Sequence, residues 1–283
     1  MTHALRETLR SLRASPIFAF YVVATFGLAG FIGLMFGQMA WQLDVFLPGG
    51  FGRMQHGAAA SHRIHDFTFG FLITTGIVGV LAQLRRPANN VAGMVMALVP
   101  FVGLALAAVF SDADVIERNP LYLVAAVTAV AALLHPTGRA FFRSFSVARI
   151  NWVMLGLVGI AAVPLFSFAS TNIRLQGTVL DDHAGLGHYA FMAAFAVTVI
   201  GVGLLASLRP DGWRLTARVA GLLPALLGFS SVMYPDASSS LGLAWALAAI
   251  AWGVVFIATA ELTQDAEFPG RHIEIGTVEK QSG

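Results

Sequence analysis

Apolar positions fall in long blocks along the chain, separated by short polar stretches. Residues 16–43 ("PIFAFYVVATFGLAGFIGLMFGQMAWQL") carry no charged side chain, and an apolar run of roughly 18 residues or more is long enough to cross a bilayer as a helix. The block "VAGMVMALVPFVGLALAAVF" (91–110) is equally clear, with Pro100 placed to kink it. The pattern predicts eight transmembrane helices, near 16–42, 66–84, 91–110, 120–135, 150–171, 188–208, 218–234 and 241–261. The fourth is short and ends at His135-Pro136. The basic start "MTHALRETLRSLR" resembles the n-region of a signal peptide. The apolar stretch behind it outruns the usual 7–15-residue core, and no small-x-small cleavage site stands out. An uncleaved first helix is therefore expected.

Composition agrees with the blocks. The chain is 57% hydrophobic and 11% charged, whereas a soluble domain carries about 25% charged residues. The expected fold is all-α and polytopic, with the bilayer as its main partner. Basic residues then set the orientation. Arg6, Arg10, Arg13, Arg85, Arg86, Arg139, Arg143, Arg149, Arg209, Arg214, Arg218, Arg271 and Lys280 fall on one side of the predicted spans. Only Arg53, Arg63, Arg118 and Arg174 fall on the other. The positive-inside rule makes the first side cytoplasmic, so both termini are expected inside a cell inner membrane. Basic residues are spread among loops without a clustered strip, so nucleic acid is not an expected partner.

A repeat is visible as well. "GVLAQLRRP" (79–87) and "GLLASLRP" (203–210) end the second and sixth predicted helices, and each is followed by "VAG", at 91–93 and 219–221. The chain divides accordingly into two tandem four-helix repeats, 1–145 and 146–264, and a cytoplasmic tail, 265–283. Copies with an even number of spans share one orientation, related by an axis along the membrane normal.

The candidate chemistry lies on the expected outer side. "HGAAASHRIHDFTFG" (56–70) holds His56, His62 and His65, followed directly by Asp66. "DDHAGLGHYAFM" (181–192) holds Asp181, Asp182, His183 and His188. His62 and His65 are spaced i,i+3 and share a helix face. His183 is expected in a loop, with Gly185 and Gly187 permitting a bend, and His188 opens the next helix. Under the repeat His65 and His188 correspond, so they can face each other. The expected metal ligands are His62, His65, His183, His188 and His56, with Asp66 and Asp182 as ligands or supporting carboxylates. Imidazole suits zinc, copper, iron and nickel. Zinc or copper is the first expectation, and a haem b near the outer surface the alternative. Met35, Met39, Met54, Met192 and Met233 lie toward the same side; thioethers favour copper, but methionine also fills gaps in apolar packing. Interfacial histidines equally hydrogen-bond headgroups, water or loop carbonyls.

Other chemistries are excluded or disfavoured. Cysteine is absent, which removes disulfides, thiolate metal sites, Fe–S clusters, c-type haem and thiol nucleophiles. The only lysine is Lys280 in the tail, so a retinal Schiff base is excluded. The predicted helix middles contain no ionisable residue, and such residues mark pathways and relays in membranes. Thr74, Thr75, Thr128, Ser167, Thr198, Ser230 and Ser231 are the polar groups at depth, and hydroxyls there bond back to their own helix or glue helices together. "GLAGFIG" (27–33) and "GIVG" (76–79) suggest close helix contacts. Three functions remain: a metalloenzyme or redox protein exchanging electrons with quinone, a non-enzymatic subunit or small-molecule binder contacting a periplasmic protein, and a transporter.

Overall fold

A computed structural model describes residue 16, residues 19–20, 22–24, 27, 30, 62–84, 87–111, 121–137 and 140–265. Among these every regular element is a helix and no strand occurs. In order, the helices are α1 (Arg63–Leu81), α2 (Val91–Ser111), α3 (Leu121–Leu133), α4 (Ala140–Arg143), α5 (Trp152–Thr178), α6 (Asp182–Gly185), α7 (His188–Leu208), α8 (Trp213–Met233) and α9 (Gly242–Asp265). Six of them, α1, α2, α5, α7, α8 and α9, are long and apolar enough to cross a membrane, the pattern of a multi-pass membrane protein. Hydropathy predicts eight spans. The first, 16–42, lies largely outside the described residues. The fourth is the 13-residue α3, which at 1.5 Å per residue covers only about 20 Å of a hydrocarbon core about 30 Å thick.

Helix α7 is the axis of the bundle. Of its span window 72% is buried, against 17% for α5 and 22% for α9. Its sequence explains this: Ala190, Ala193, Ala194, Ala196 and Ala206 are small enough to admit neighbours on several sides, while Phe195 and Met192 fill the space between them. Helices α1, α2, α5 and α8 all pack against it. The main apolar cluster runs from Ile64, Phe71 and Leu72 of α1 through Leu104 of α2 and the first half of α7 to Leu223 and Leu227 of α8.

Glycines set the closest crossings. A Cβ on Gly79 would meet the Gly93 carbonyl oxygen at 2.5 Å, and one on Gly103 the Ala194 carbonyl oxygen at 2.6 Å. Between α8 and α9, Gly221 and Gly253 face each other's carbonyl oxygens. Of the expected glycine stripes, Gly79 in "GIVG" is at such a crossing. A Cβ on Gly27 or Gly30 would meet no described atom within 4 Å, and Gly33 lies outside the described residues. Spacing defines a helix face, but a close approach also needs a partner against it.

The deep hydroxyls turn inward on their own helices. Thr75 donates to the Phe71 carbonyl at 2.8 Å, Thr128 to Val124 at 2.6 Å, Thr198 to Ala194 at 2.8 Å and Ser230 to Leu226 at 2.9 Å. Ser231 instead accepts from the Leu241 N–H at 3.2 Å. Pro100, Pro164 and Pro224 sit inside α2, α5 and α8, as bilayer helices tolerate.

The two ends of the bundle differ in character. One end gathers the starts of α1 and α7 and the α8–α9 connection. The opposite end is pinned by polar contacts: Arg149 pairs with Asp211 at 2.9 Å, the Arg209 guanidinium donates to Thr263 Oγ1 at 2.6 Å and lies 4.5 Å from the Trp213 ring centroid, and Asn151 caps α5 through the Val153 and Met154 N–H groups.

Candidate metal centre

Helix α1 begins earlier than hydropathy suggests, at Arg63, with His62 in the capping position. That shift draws His62, His65 and Asp66 into the first turn, where all three are buried. The second contribution comes from the link between α5 and α7. Asp181 caps the single turn α6 by accepting from the Ala184 N–H at 2.8 Å. Gly187 then takes a left-handed conformation, φ 75°, which a residue with a side chain adopts at a cost. The chain reverses there and His188 opens α7. Gln176, near the end of α5, clamps the link from both sides: its Nε2 donates to the Ala184 carbonyl at 2.7 Å and its Oε1 accepts from the Ala190 N–H at 3.1 Å. That second bond satisfies one of the N–H groups a helix start leaves open.

Four imidazoles meet as a result. Ring centroids lie 4.2 Å apart for His62–His183, 5.2 Å for His62–His188, 4.8 Å for His65–His183, 5.1 Å for His65–His188 and 5.7 Å for His183–His188. His62 Nδ1 and His188 Nδ1 are 3.4 Å apart. One nitrogen each from His62, His183 and His188 lie within 4.8 Å of one another, a group that could hold a metal ion. The His62–His188 pair has the dimensions of coordination. Two nitrogens bound tetrahedrally to one ion at about 2.0–2.1 Å stand roughly 3.3 Å apart, and their ring centroids about 5.2 Å. The His62 and His183 rings are stacked with an interplanar angle of 8°, so joint binding requires one of them to rotate about its Cβ–Cγ bond.

Of the described carboxylates, Asp181 is the one in contact with the cluster. Its Oδ2 stands 3.6 Å from His183 Nδ1 and accepts from the Tyr189 hydroxyl at 2.9 Å. Burial pushes the Asp181 carboxyl up, but the Ala184 N–H, the Tyr189 hydroxyl and His183 outweigh it and hold it below its ordinary value. Asp182 is exposed at the first turn of α6. Asp66 is buried, and its Oδ2 has no hydrogen-bond partner. His65 donates or accepts through Nε2 to Ser239 Oγ at 3.2 Å, and Ser239 donates to Asn172 Oδ1 at 2.8 Å. His56, Met35, Met39 and Met54 lie outside the described residues. Met192 is fully buried in the apolar core, and Met233 is 53% exposed.

The sequence carries no signal for Gln176, Asn172 or Ser239, which reach the site from α5 and the α8–α9 connection. Asp181 is legible in principle, as an acidic residue three places before the Ala184 N–H it caps. No protein-family model, curated protein or solved structure matches the chain.

Proposed function

We propose that the protein is a multi-pass inner-membrane protein that binds a transition-metal ion, zinc or copper, in a histidine centre at its outer face. His62, His183 and His188 are the core of the ligand set, with His65 beside them. The observation that carries this reading is the 3.4 Å separation of His62 Nδ1 and His188 Nδ1, close to one edge of a metal–nitrogen tetrahedron and supplied by segments 126 residues apart. Asp181 supports His183, the role expected of Asp182, since a carboxylate beside a ligating imidazole fixes its tautomer and raises its basicity. Asp66, buried in the same turn with an unpartnered Oδ2, is a further candidate ligand or supporting carboxylate. His56 is a further candidate ligand. A haem fits poorly, because a planar macrocycle must separate its two axial imidazoles and these rings pack on one another.

The tandem arrangement of two four-helix repeats, 1–145 and 146–264, is supported by the matching starts of α1 and α7, which run in one direction from the cluster. The orientation rests on the arginines: Arg143, Arg149, Arg209, Arg214 and Arg218 lie toward the far end, against Arg63 and Arg174 toward the histidines. That end is cytoplasmic on this reading, with the tail 265–283 beyond it. A redox role would draw on quinone in the bilayer.

Elemental analysis of protein purified in detergent without a histidine tag, with a visible spectrum, tests the centre. A stoichiometric metal that is lost in a His65→Ala, His188→Ala variant is expected. Metal remaining far below stoichiometric after reconstitution sinks the proposal. The parallel His62–His183 stack favours one other reading, a packed histidine cluster without a metal in a non-enzymatic subunit that docks a periplasmic protein, and that result would select it.

A further inference from the structure

His65 is the most deeply buried of the four histidines, with no exposed surface, and its Nδ1 has no hydrogen-bond partner. Its hydrogen-bonded side defines which nitrogen carries the proton. Asn172 Nδ2 donates to the Phe168 carbonyl at 2.9 Å, which turns Asn172 Oδ1 toward Ser239. The Ser239 hydroxyl has a single hydrogen, and it goes to that oxygen at 2.8 Å. Ser239 Oγ can therefore only accept from His65 Nε2, at 3.2 Å. The proton sits on Nε2, and Nδ1 presents a bare lone pair.

We infer that Asn172 and Ser239 are positioning residues that lock His65 in its Nε2–H tautomer, so that its Nδ1 is the fourth nitrogen on the ion. This rests on the metal-binding reading above and sharpens it to a closed centre of four imidazoles. His65 stands beside the three-histidine group, its ring centroid 4.8 Å from that of His183 and 5.1 Å from that of His188. The nitrogens that already lie within 4.8 Å of one another are those of the other three, so binding draws His65 Nδ1 in toward them. A buried acceptor left unpaired is costly, and the ion removes that cost. Ser239 itself adopts φ 64°, uncommon for a residue other than glycine, so the connection holds its hydroxyl in place against a backbone preference. A centre with four protein nitrogens keeps no open position, the property of zinc sites that are structural and not hydrolytic; with copper it suits electron transfer.

The test uses full-length protein in detergent, with Co²⁺ as the spectroscopic probe and Zn²⁺ as competitor. Ser239→Gly removes the hydroxyl while suiting the backbone, and Asn172→Leu frees the serine hydrogen to move to His65 Nε2. Each is expected to weaken Co²⁺ binding about 10–100-fold and to alter the tetrahedral Co²⁺ spectrum. Asn172→Asp keeps the acceptor and is expected to restore both. Nitrogen-15 NMR of the metal-free protein reads the tautomer directly: Nε2–H in the wild type, shifted toward Nδ1–H in Asn172→Leu. Wild-type affinity and spectrum in Ser239→Gly and His65→Ala would overturn the fourth-ligand inference while leaving a three-histidine centre standing. An Nδ1–H tautomer in the wild type would overturn it equally. A wild type that binds neither Co²⁺ nor Zn²⁺ overturns the centre itself, and the inference with it.

Discussion

Two buried histidines stand at opposite ends of α1, and they are satisfied in opposite ways. At the arginine end, His135 is 4% exposed and spends both nitrogens on the protein. Its Nε2 meets Gln83 Oε1 at 3.2 Å, and its Nδ1 meets Thr137 Oγ1 at 2.7 Å. Gln83 is committed in turn, donating to the Gly79 carbonyl at 3.2 Å and the Asn90 carbonyl at 3.0 Å. Since both amide hydrogens of Gln83 are used, its oxygen faces His135 and accepts from Nε2–H. At the other end, His65 spends one nitrogen and keeps the other bare among three more imidazoles. The same side chain at similar burial is a structural strut in one place and a candidate ligand in the other. Burial alone does not separate the two, but a count of used and unused lone pairs does.

Substitutions at the two ends should therefore fail in different ways. The largest effect is expected for His62→Ala, His188→Ala: metal affinity should fall by well over the ~100-fold seen for outer-shell changes. Equilibrium dialysis against Zn²⁺ measures it. Retained affinity would erase the contrast. Gln83→Leu is the counterpart at the arginine end. It removes the Gln83 bonds to His135 Nε2 and to the Asn90 carbonyl, at about 1 kcal/mol for each hydrogen bond lost, while the Asn90 carbonyl keeps the Met94 N–H at 3.2 Å. Zn²⁺ affinity should be unchanged in the same dialysis.

A pH titration sharpens the comparison next. Burial pushes the His135 imidazole down from its ordinary 6.5 to about 4. Between those values the unfolded chain binds the proton and the folded chain does not, so stability rises with pH across that window. Read downward, the contribution is complete above pH 6.5 and is lost as pH falls toward 4. The variant His135→Gln should show a flatter acid limb than the wild type over pH 4–6.5. An unchanged slope would mean that His135 does not report the pH dependence of that end. The smallest effect is expected for Asn151→Ala, which removes the cap of α5 and the 2.9 Å bond to Thr263. It should cost about 1 kcal/mol and leave metal binding untouched.

Legibility in the sequence differs between the helices and the site. The run 188–208 is α7 residue for residue, and 91–110 is α2 to within one position, because each block is bounded by a charge, a proline or a histidine where the apolar run stops. Helix α1 starts before its apolar run does, since His62, His65 and Asp66 look like surface residues when read along the chain. In the fold, the α5–α7 link covers them, and they become buried polar groups of a first turn. Helix α5 likewise outlasts its apolar run, which stops near 171. Asn172, Arg174 and Gln176 break that run, yet Asn172 and Gln176 point into the bundle and hold the site.

The sequence by itself determined that the chain is helical and crosses the bilayer repeatedly. A backbone in hydrocarbon must satisfy its own hydrogen bonds within each segment, and that is a local property which a run of apolar residues declares. It also located His188 at a helix start. Which imidazoles meet, which carboxylate serves them and which nitrogen remains bare were decided only by tertiary structure. Those depend on the Ser239 hydroxyl, 67 positions from its Asn172 acceptor and 174 from His65, and a hydrogen bond between distant segments leaves no periodicity in either of them.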